Sequence, residues 1–167
     1  MLIILAGLPG VGKTTIAREL STRLVALHLR IDSIEAAIRR SAAHAAVPMD
    51  DAGYLVGYAV AEDNLRLGHA VIADSVNPWP ETRDAWLAVA RRAEVRAFEI
   101  EIVCSDGAEH ERRVSERQSD IEGARPVTWQ QVLARDYRHW HRAPTIVDTA
   151  RQTPLQSVEA VLSVVTI

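Results

Sequence analysis

The chain has 167 residues, of which 48% are hydrophobic and 25% are charged, a balance typical of one compact water-soluble domain. Its formal net charge of -3 lacks the basic excess typical of proteins that bind duplex nucleic acid. The single cysteine, Cys104, excludes an intrachain disulfide, and no apolar run approaches the length of a membrane span. We therefore expect a single domain over residues 1–167, cytoplasmic and without a membrane partner.

Short apolar runs alternate with helical patterns along the chain, which is typical of a parallel α/β sheet. The first run, Leu2–Ala6, is continuously apolar and predicts a strand that is covered on both faces. An amphipathic helix is predicted from about Lys13 to Leu27, followed by a strand from about Leu27 to Ile31 that ends at Asp32. The apolar face of this helix carries Ile16, Leu20, Leu24 and Leu27.

The middle of the chain continues the alternation of helices and strands. Helical patterns cover about Ser33–Ser41 and Asp51–Leu67. A third apolar run, His69–Ala73, predicts a strand that ends at Asp74. Pro80 suits the first turn of the next helix, which is predicted to continue to about Ala93.

The fourth predicted strand, Val95–Val103, has an alternating pattern. Its glutamates, Glu99 and Glu101, alternate with apolar neighbours, which indicates a strand that faces water on one side. Such a strand conflicts with a sheet covered on both faces, so its environment is left open by the sequence.

The last third of the chain predicts three helices and a fifth strand. An arginine-rich helix comes first, a helix capped by Thr128 then extends to about His141, and Pro144–Asp148 is the strand. Thr153 opens the final helix. The residues predicted to face inward from it are Leu155, Val158, Val161, Leu162 and Val165. Five strands with intervening helices predict a doubly wound sheet.

A glycine-rich segment joins the first strand to the first helix. It reads Gly7, Leu8, Pro9, Gly10, Val11, Gly12, Lys13 and Thr14. Glycines allow backbone N–H groups to converge on a phosphate, and the helix N-terminus adds unpaired N–H groups and a favourable dipole. We expect Lys13 to reach the β- and γ-phosphates, the Thr14 hydroxyl to bind Mg²⁺, and Thr15 to contact the α-phosphate. The motif separates neither ATP from GTP nor a kinase from a hydrolase.

Two aspartates follow predicted strands and are expected at the same edge of the sheet as the glycine-rich segment. Ligands of parallel α/β sheets bind beyond the carboxyl ends of the strands, where Asp32 and Asp74 lie. Phosphoryl transfer to a hydroxyl needs one carboxylate near the acceptor proton and another near the metal ion. Asp32 suits the first role and Asp74 the second, although either aspartate could instead cap the helix that follows it.

With these residues in view, the chain resembles the small P-loop kinases of the polynucleotide-kinase-like and gluconate-kinase-like group, with an AAA-type ATP-binding domain. The resemblance covers nearly the whole chain. It rests on residues 7–15, on Asp32, on the run from Asp74 to Asn77, and on Pro80, Arg83 and Trp86. An arginine-bearing helical lid, at about residues 105–127, completes it with Arg113 and Arg117.

This resemblance implies a three-layer P-loop NTPase fold with a five-stranded parallel sheet and a small helical lid. It also implies transfer of a phosphoryl group from ATP, with Mg²⁺, to the hydroxyl of an acceptor. Asp32 would then be the general base, while Lys13 and Arg117 stabilise charge on the transferring group and Arg113 contacts the nucleotide. The residues expected beside the acceptor are Glu35, Asp74, Asn77 and Arg83.

The chain departs from the family pattern at Glu35. Polynucleotide kinases of this group carry an arginine three residues after the base aspartate, where it helps to hold the phosphate of the acceptor. A carboxylate at that place repels a phosphorylated acceptor and, with the acidic net charge, argues against nucleic acid and for a neutral or cationic small molecule. Alternatively, Glu35 is an exposed helix residue without such a role.

Three functions remain open at this point. The sequence favours a small-molecule kinase, for which Tyr54, Tyr58 and Trp79 are candidate walls of the acceptor pocket, although such aromatic residues more often pack in the core. A polynucleotide or tRNA 5′-end kinase is the first alternative and needs a basic groove. A P-loop ATPase switch that acts on a protein partner is the second alternative. Neither the acceptor nor the oligomeric state can be derived from the sequence.

Overall fold

The computed structural model describes residues 1–41, 51–123 and 126–166. Five parallel strands form one sheet in the order β2-β3-β1-β4-β5. The strands are β1 (Leu2–Ala6), β2 (Leu27–Arg30), β3 (Val71–Asp74), β4 (Ala97–Val103) and β5 (Thr145–Asp148). The helices are α1 (Lys13–Leu24), α2 (Ile31–Arg40), α3 (Ala52–Arg66), α4 (Pro80–Arg92), α5 (Gly107–Glu116), α6 (Trp129–Leu133) and α7 (Pro154–Val165). The predicted α/β class and five-stranded parallel sheet are confirmed.

The central strand β1 is buried on both faces and separates two hydrophobic cores. Its Ile3 and Leu5 face a core that includes residues of α1 and α7. Its Leu2 and Ile4 face a second core built with α3 and α4, in which Trp86 is fully buried. Helices therefore cover both faces of the sheet, as a continuously apolar strand requires. Within the described ranges, no helix combines the length and the apolar character needed to cross a membrane.

The first two boundaries differ from the sequence prediction. Helix α1 ends at Leu24 because Val25 adopts a left-handed conformation with φ of 50°, so Leu27 belongs to β2 and not to the helix. Strand β2 ends at Arg30, and Asp32 lies in the first turn of α2. Since no side chain caps this helix, the alternative role of Asp32 as an N-cap is wrong.

The prediction of a helix from Thr128 to about His141 is also wrong in length. Its capping box is present, because the Thr128 hydroxyl accepts from the N–H of Gln131 and the Gln131 side chain accepts from the N–H of Thr128. The helix nevertheless ends at Leu133. Beyond it the chain returns to the loop before α4, where the N–H of Arg138 donates to the carbonyl of Pro78 at 2.8 Å.

The capping box at Thr153, which opens α7, is present as predicted. Val158, Val161 and Val165 are buried and Leu162 packs against the same core. Leu155 is 54% exposed, so the prediction that it faces inward is wrong. It lies in the first turn of the helix, where the chain has only begun to approach the sheet.

The two glutamates of β4 lie under the segment that follows α6. Arg142 donates to both carboxylate oxygens of Glu99, and the Tyr137 hydroxyl donates to Glu101 at 2.9 Å. Burial and its contact with Glu101 both raise the pKa of Tyr137, so the phenol stays protonated and acts as the donor. The alternating pattern therefore marks carboxylates that are covered by polar partners and not a face open to water.

We expect Arg142→Gln to lower the free energy of unfolding by about 1–3 kcal/mol, because it leaves the nearly buried carboxylate of Glu99 without its charged partner. Urea denaturation followed by tryptophan fluorescence measures the change. Arg138→Gln is the control, since that side chain lies in the same segment, is exposed, and among the described residues pairs with Asp136 alone. Equal stability of the two variants would contradict the assignment.

Candidate functional site

The glycine-rich loop leaves β1 and enters α1 with three glycines in left-handed or related conformations. The φ angles are 136° at Gly7, 87° at Gly10 and 104° at Gly12. A Cβ atom at Gly7 would collide with the carbonyl oxygen of Ile102, so only glycine fits there. Gly12 is the N-cap residue of α1 and no side chain caps the helix, which leaves the helix N-terminus open to an anion.

Backbone carbonyls of this loop hold the side chain of Lys13. Its Nζ donates to the carbonyls of Gly7 at 2.8 Å and Leu8 at 2.9 Å, and the side chain is buried. Burial lowers its pKa to about 8, against the opposing effect of the carboxylates of Asp74 and Asp32. The ammonium group is therefore placed among the phosphate loop and both aspartates that the sequence analysis selected.

Asp74 ends β3 next to the phosphate loop and is almost fully buried. Burial opposes ionisation, but hydrogen bonds with His28 and Thr14 and the charge of Lys13 together lower its pKa. A carboxylate beside a threonine hydroxyl offers the hard oxygen ligands that Mg²⁺ prefers. Because Mg²⁺ usually takes one or two protein ligands and completes its shell with water and phosphate, Thr14 and Asp74 fit this ion. No cluster of three or more His, Cys, Asp or Glu that could hold a metal occurs among the described residues.

His28 is a component of the site that the sequence analysis missed. Its Nε2 lies 3.1 Å from Oδ2 of Asp74, so the neighbouring strand β2 orients this carboxylate. The signal in the sequence was its position within the predicted strand Leu27–Ile31, three residues before the end of that strand.

A cavity of about 1020 Å³ lies beyond the carboxyl ends of the strands. The predicted phosphate-binding residues Gly10, Gly12, Lys13, Thr14 and Thr15 line it, as do Asp32, Glu35, Asp74, Arg113 and Arg117. Three aromatic side chains that the sequence offered as candidate walls, Tyr54, Tyr58 and Trp79, also line it. One cavity thus brings together most of the predicted site.

Asp32 is exposed to this cavity from the first turn of α2. Within the part of the chain that the structure describes, its carboxylate accepts no hydrogen bond, and it is therefore available to a ligand proton. Glu35 follows one helical turn later and accepts from Arg39 at 2.7 Å. Burial raises the pKa of Glu35, and the charge of Asp32 adds to this effect while Arg39 opposes it. The part of the cavity that α2 lines therefore carries two carboxylates.

The two predicted lid arginines differ in their contacts. Arg113 donates to the hydroxyl of Thr149 at 2.8 Å and to its carbonyl at 3.0 Å, and it pairs with Glu109. Arg117 follows α5, is exposed to the cavity, and forms no ion pair with any described residue. Arg117 is thus the freer of the two. Arg135, which the sequence analysis did not select, also lines the cavity without an ion-pair partner in the described ranges.

Asn77 does not lie where a substrate can reach it. It is fully buried with φ of 48°, its Nδ2 donates to the carbonyl of Leu5 at 2.8 Å, and its Oδ1 accepts from the indole of Trp86. The side chain joins the loop after β3 to β1 and α4. The predicted contact of Asn77 with the acceptor is therefore corrected, because all its polar atoms serve the fold.

Arg83 is likewise fully buried, against the prediction that it binds substrate. Its guanidinium donates to four backbone carbonyls and stacks on two aromatic rings. The carbonyls belong to Asn77, Pro78, Arg138 and His139, and the rings to Tyr137 and Trp140. Four of its five N–H donors are used by backbone carbonyls and the side chain does not line the cavity, so Arg83 fixes the segment after α6 onto α4.

The family model AAA_33, described as an AAA domain, matches residues 2–144. A comparison with curated protein sequences gives no significant match. Among solved structures, a candidate kinase from Chloroflexus aurantiacus j-10-fl has a TM-score of 0.73 and 21% identity, with 99% of this chain and 95% of that chain covered.

Two further structures with named activities share the fold. A gluconokinase from Sinorhizobium meliloti 1021 has a TM-score of 0.63 and 16% identity, covering 96% of this chain and 89% of its own. The APS kinase CysC of Mycobacterium tuberculosis, in complex with AMPPNP and APS, has a TM-score of 0.67 and 16% identity, covering 99% and 97%. The chain therefore belongs to the AAA_33 family of AAA domains and has the fold of the P-loop kinases that its sequence resembles.

Proposed function

We propose that this protein is an ATP-dependent kinase that transfers the γ-phosphoryl group to a hydroxyl group of a small molecule. The observation that carries the proposal is that Asp32 and Lys13 line one cavity, with the unpaired carboxylate on α2 and the ammonium in the phosphate loop. The kinases that share the fold, one of them solved with AMPPNP, support ATP as the phosphoryl donor.

In this mechanism the acceptor oxygen forms a bond to the γ-phosphorus while the bond from that phosphorus to the oxygen of ADP breaks. Asp32 takes the proton of the acceptor hydroxyl and so increases its nucleophilicity. Lys13 and Arg117 stabilise negative charge on the transferring phosphoryl oxygens. Mg²⁺, held by Thr14 and Asp74, would neutralise charge on the phosphates when bound.

The charges around the cavity favour a small acceptor over a nucleic acid. Most arginines that line it are paired, with Arg18 and Arg30 on Asp120, Arg112 on Glu116 and Arg113 on Glu109. Nucleic acids are held by cations that are free to neutralise successive phosphates. Among the described residues, the cavity shows Arg117 and Arg135 without such partners, which is too few for a continuous basic track.

An ATP-consumption assay with Mg²⁺ tests the proposal across sugars, amino alcohols, aminoglycosides, nucleosides and 5′-hydroxyl oligonucleotides. We expect one small-molecule class to accelerate ATP turnover by at least about 100-fold over the rate without acceptor, since an oriented hydroxyl replaces random attack by water. Acceleration by the oligonucleotide would identify a polynucleotide kinase. Steady hydrolysis that no acceptor accelerates would contradict a kinase and favour an ATPase switch.

A further inference from the structure

The loop that follows α5 lines the cavity and contacts α1 and β2. We call residues 117–123 the lid loop. Its Asp120 accepts from Arg18 of α1 and, at 3.0 Å, from Nη1 of Arg30 at the end of β2. One carboxylate of the lid loop thus joins two elements of the core that lie beside the phosphate loop.

The three side chains in these contacts differ in how much of their surface is exposed. Arg30 is 8% exposed and belongs to the wall of the cavity, whereas the side chains of Arg18 and Asp120 are about half exposed. Hydrogen bonds from Arg18 and Arg30 lower the pKa of Asp120 to about 2, so the carboxylate is charged at any pH near neutrality. Among the described residues, the carboxylate that pairs with the buried guanidinium of Arg30 is that of Asp120, so this counter-charge comes from the lid loop.

A second contact holds the same loop. Arg40, at the end of α2, donates to the backbone carbonyl and to the carboxylate of Glu122, each at 3.0 Å. Both side chains are exposed, so this pair contributes little by itself. Asp120 is therefore the principal anchor of the lid loop on the core.

Asp120 follows Arg117 by three residues, and three residues of extended chain span at most about 10 Å. Fixing Asp120 on α1 and β2 therefore restricts where Arg117 can lie relative to the phosphate loop. Arg117 forms no ion pair with any described residue, and its positive charge contributes to the lowered pKa of Lys13. Arg117 is the C-cap residue of α5, so its backbone lies between that helix and the anchored loop, and no ion pair with a described residue fixes its side chain.

We propose that Asp120 is a positioning residue, whose ion pairs with Arg18 and Arg30 hold the lid loop along the cavity and keep Arg117 at the phosphate site. This inference rests on the proposed function, since it assigns to the contact an effect on phosphoryl transfer. Asp120 itself has no role in the chemistry and touches no reacting atom.

The test compares Asp120→Asn with Glu111→Gln, which removes the same charge from an exposed position of α5. We expect Asp120→Asn to lower kcat about tenfold, which is a common size for the coupling between two sites. The KM for the acceptor should change less than about threefold, which is about half of that effect on a logarithmic scale. Arg18→Gln, at an exposed position, is expected to lower kcat in the same direction. The kcat of the double variant Arg18→Gln with Asp120→Asn should be little lower than that of Asp120→Asn alone, because both substitutions break the same ion pair.

Amide hydrogen exchange of residues 117–123, without nucleotide or acceptor, is measured on the same variants. We expect Asp120→Asn to accelerate exchange in the lid loop and Glu111→Gln to leave it unchanged. Faster exchange with an unchanged kcat would overturn the proposal, because the contact would then only stabilise the loop. A higher kcat would overturn it as well, since Asp120 would then obstruct the site. Failure of the wild-type protein to transfer phosphate to any acceptor contradicts the proposed function, whereas unchanged exchange in Asp120→Asn contradicts the anchor itself.

Discussion

Replacing Asp32 by Asn is expected to slow phosphoryl transfer by about 10²–10⁴-fold, the contribution that a positioned general base commonly makes. The amide has nearly the same shape as the carboxylate but cannot accept the proton of the acceptor hydroxyl. Because Asp32 accepts no hydrogen bond from the described residues, its loss should leave the fold and the phosphate loop intact. ATP binding, measured by calorimetry with Mg²⁺, should therefore stay within about twofold of the wild-type affinity, since the removed contact acts in the transition state.

Asp51→Asn is the matched control for this experiment. Asp51 also lines the cavity, precedes α3 and makes no capping hydrogen bond with its side chain. The Asp51→Asn variant should transfer phosphate at a rate within about threefold of the wild type, since a substitution at an exposed position away from the reacting groups has small effects. If Asp32→Asn transfers phosphate as fast as Asp51→Asn, Asp32 is not the base.

Arg83→Ala is expected to lower the free energy of unfolding by about 3–5 kcal/mol, the usual loss when one partner of a buried charged network is removed. The substitution leaves the buried carbonyls of Asn77, Arg138 and His139 without the donor that Arg83 supplies, and it removes the cation between two aromatic rings. Urea denaturation gives the change in stability. The loss should also loosen the segment after α6, which hydrogen exchange can report.

Arg91→Ala serves as the control on the same helix, because Arg91 is exposed and, within the described ranges, its side chain makes one long hydrogen bond, to the carbonyl of Leu87. Its stability should remain within about 0.5 kcal/mol of the wild type. A stable Arg83→Ala protein with a raised KM for the acceptor would restore the substrate role that the structure argues against.

The phosphate loop could be predicted because its requirements are local. Glycine spacing, the lysine and the following hydroxyl residues specify both the backbone path and the chemistry within one short segment. Asp74 was predictable because a strand end in a parallel sheet locates a residue at the binding edge whatever the rest of the chain does. Both predictions depended only on where the predicted strands end, and the structure places these residues at one edge of the sheet.

The environments of Arg83 and Asn77 could not be predicted, because the groups that bury them come from distant segments. Arg83 meets carbonyls more than fifty residues away, at Arg138 and His139. A sequence pattern shows that these residues are polar and lie near a motif, which is also what a binding residue looks like. The covered glutamates of β4 were unpredictable for the same reason. Tyr137 approaches Glu101 from a segment that was predicted to be a helix, and Arg142, just after that segment, approaches Glu99.

The register of the sheet has a consequence for how the chain can change in length. Arg30, Asp74 and Leu5 lie in one row across β2, β3 and β1, so the arginine that pairs with Asp120, the buried carboxylate of Asp74 and the strand that leads into the phosphate loop are aligned. One residue inserted within β2 would shift its carboxyl end by about 3.3 Å and turn Arg30 to the opposite face. Insertions in the turns at the amino ends of the strands, near residues 25–26 and 67–70, would leave this row undisturbed. The edge of the sheet at the amino ends of the strands therefore tolerates insertions, whereas the edge at the carboxyl ends does not.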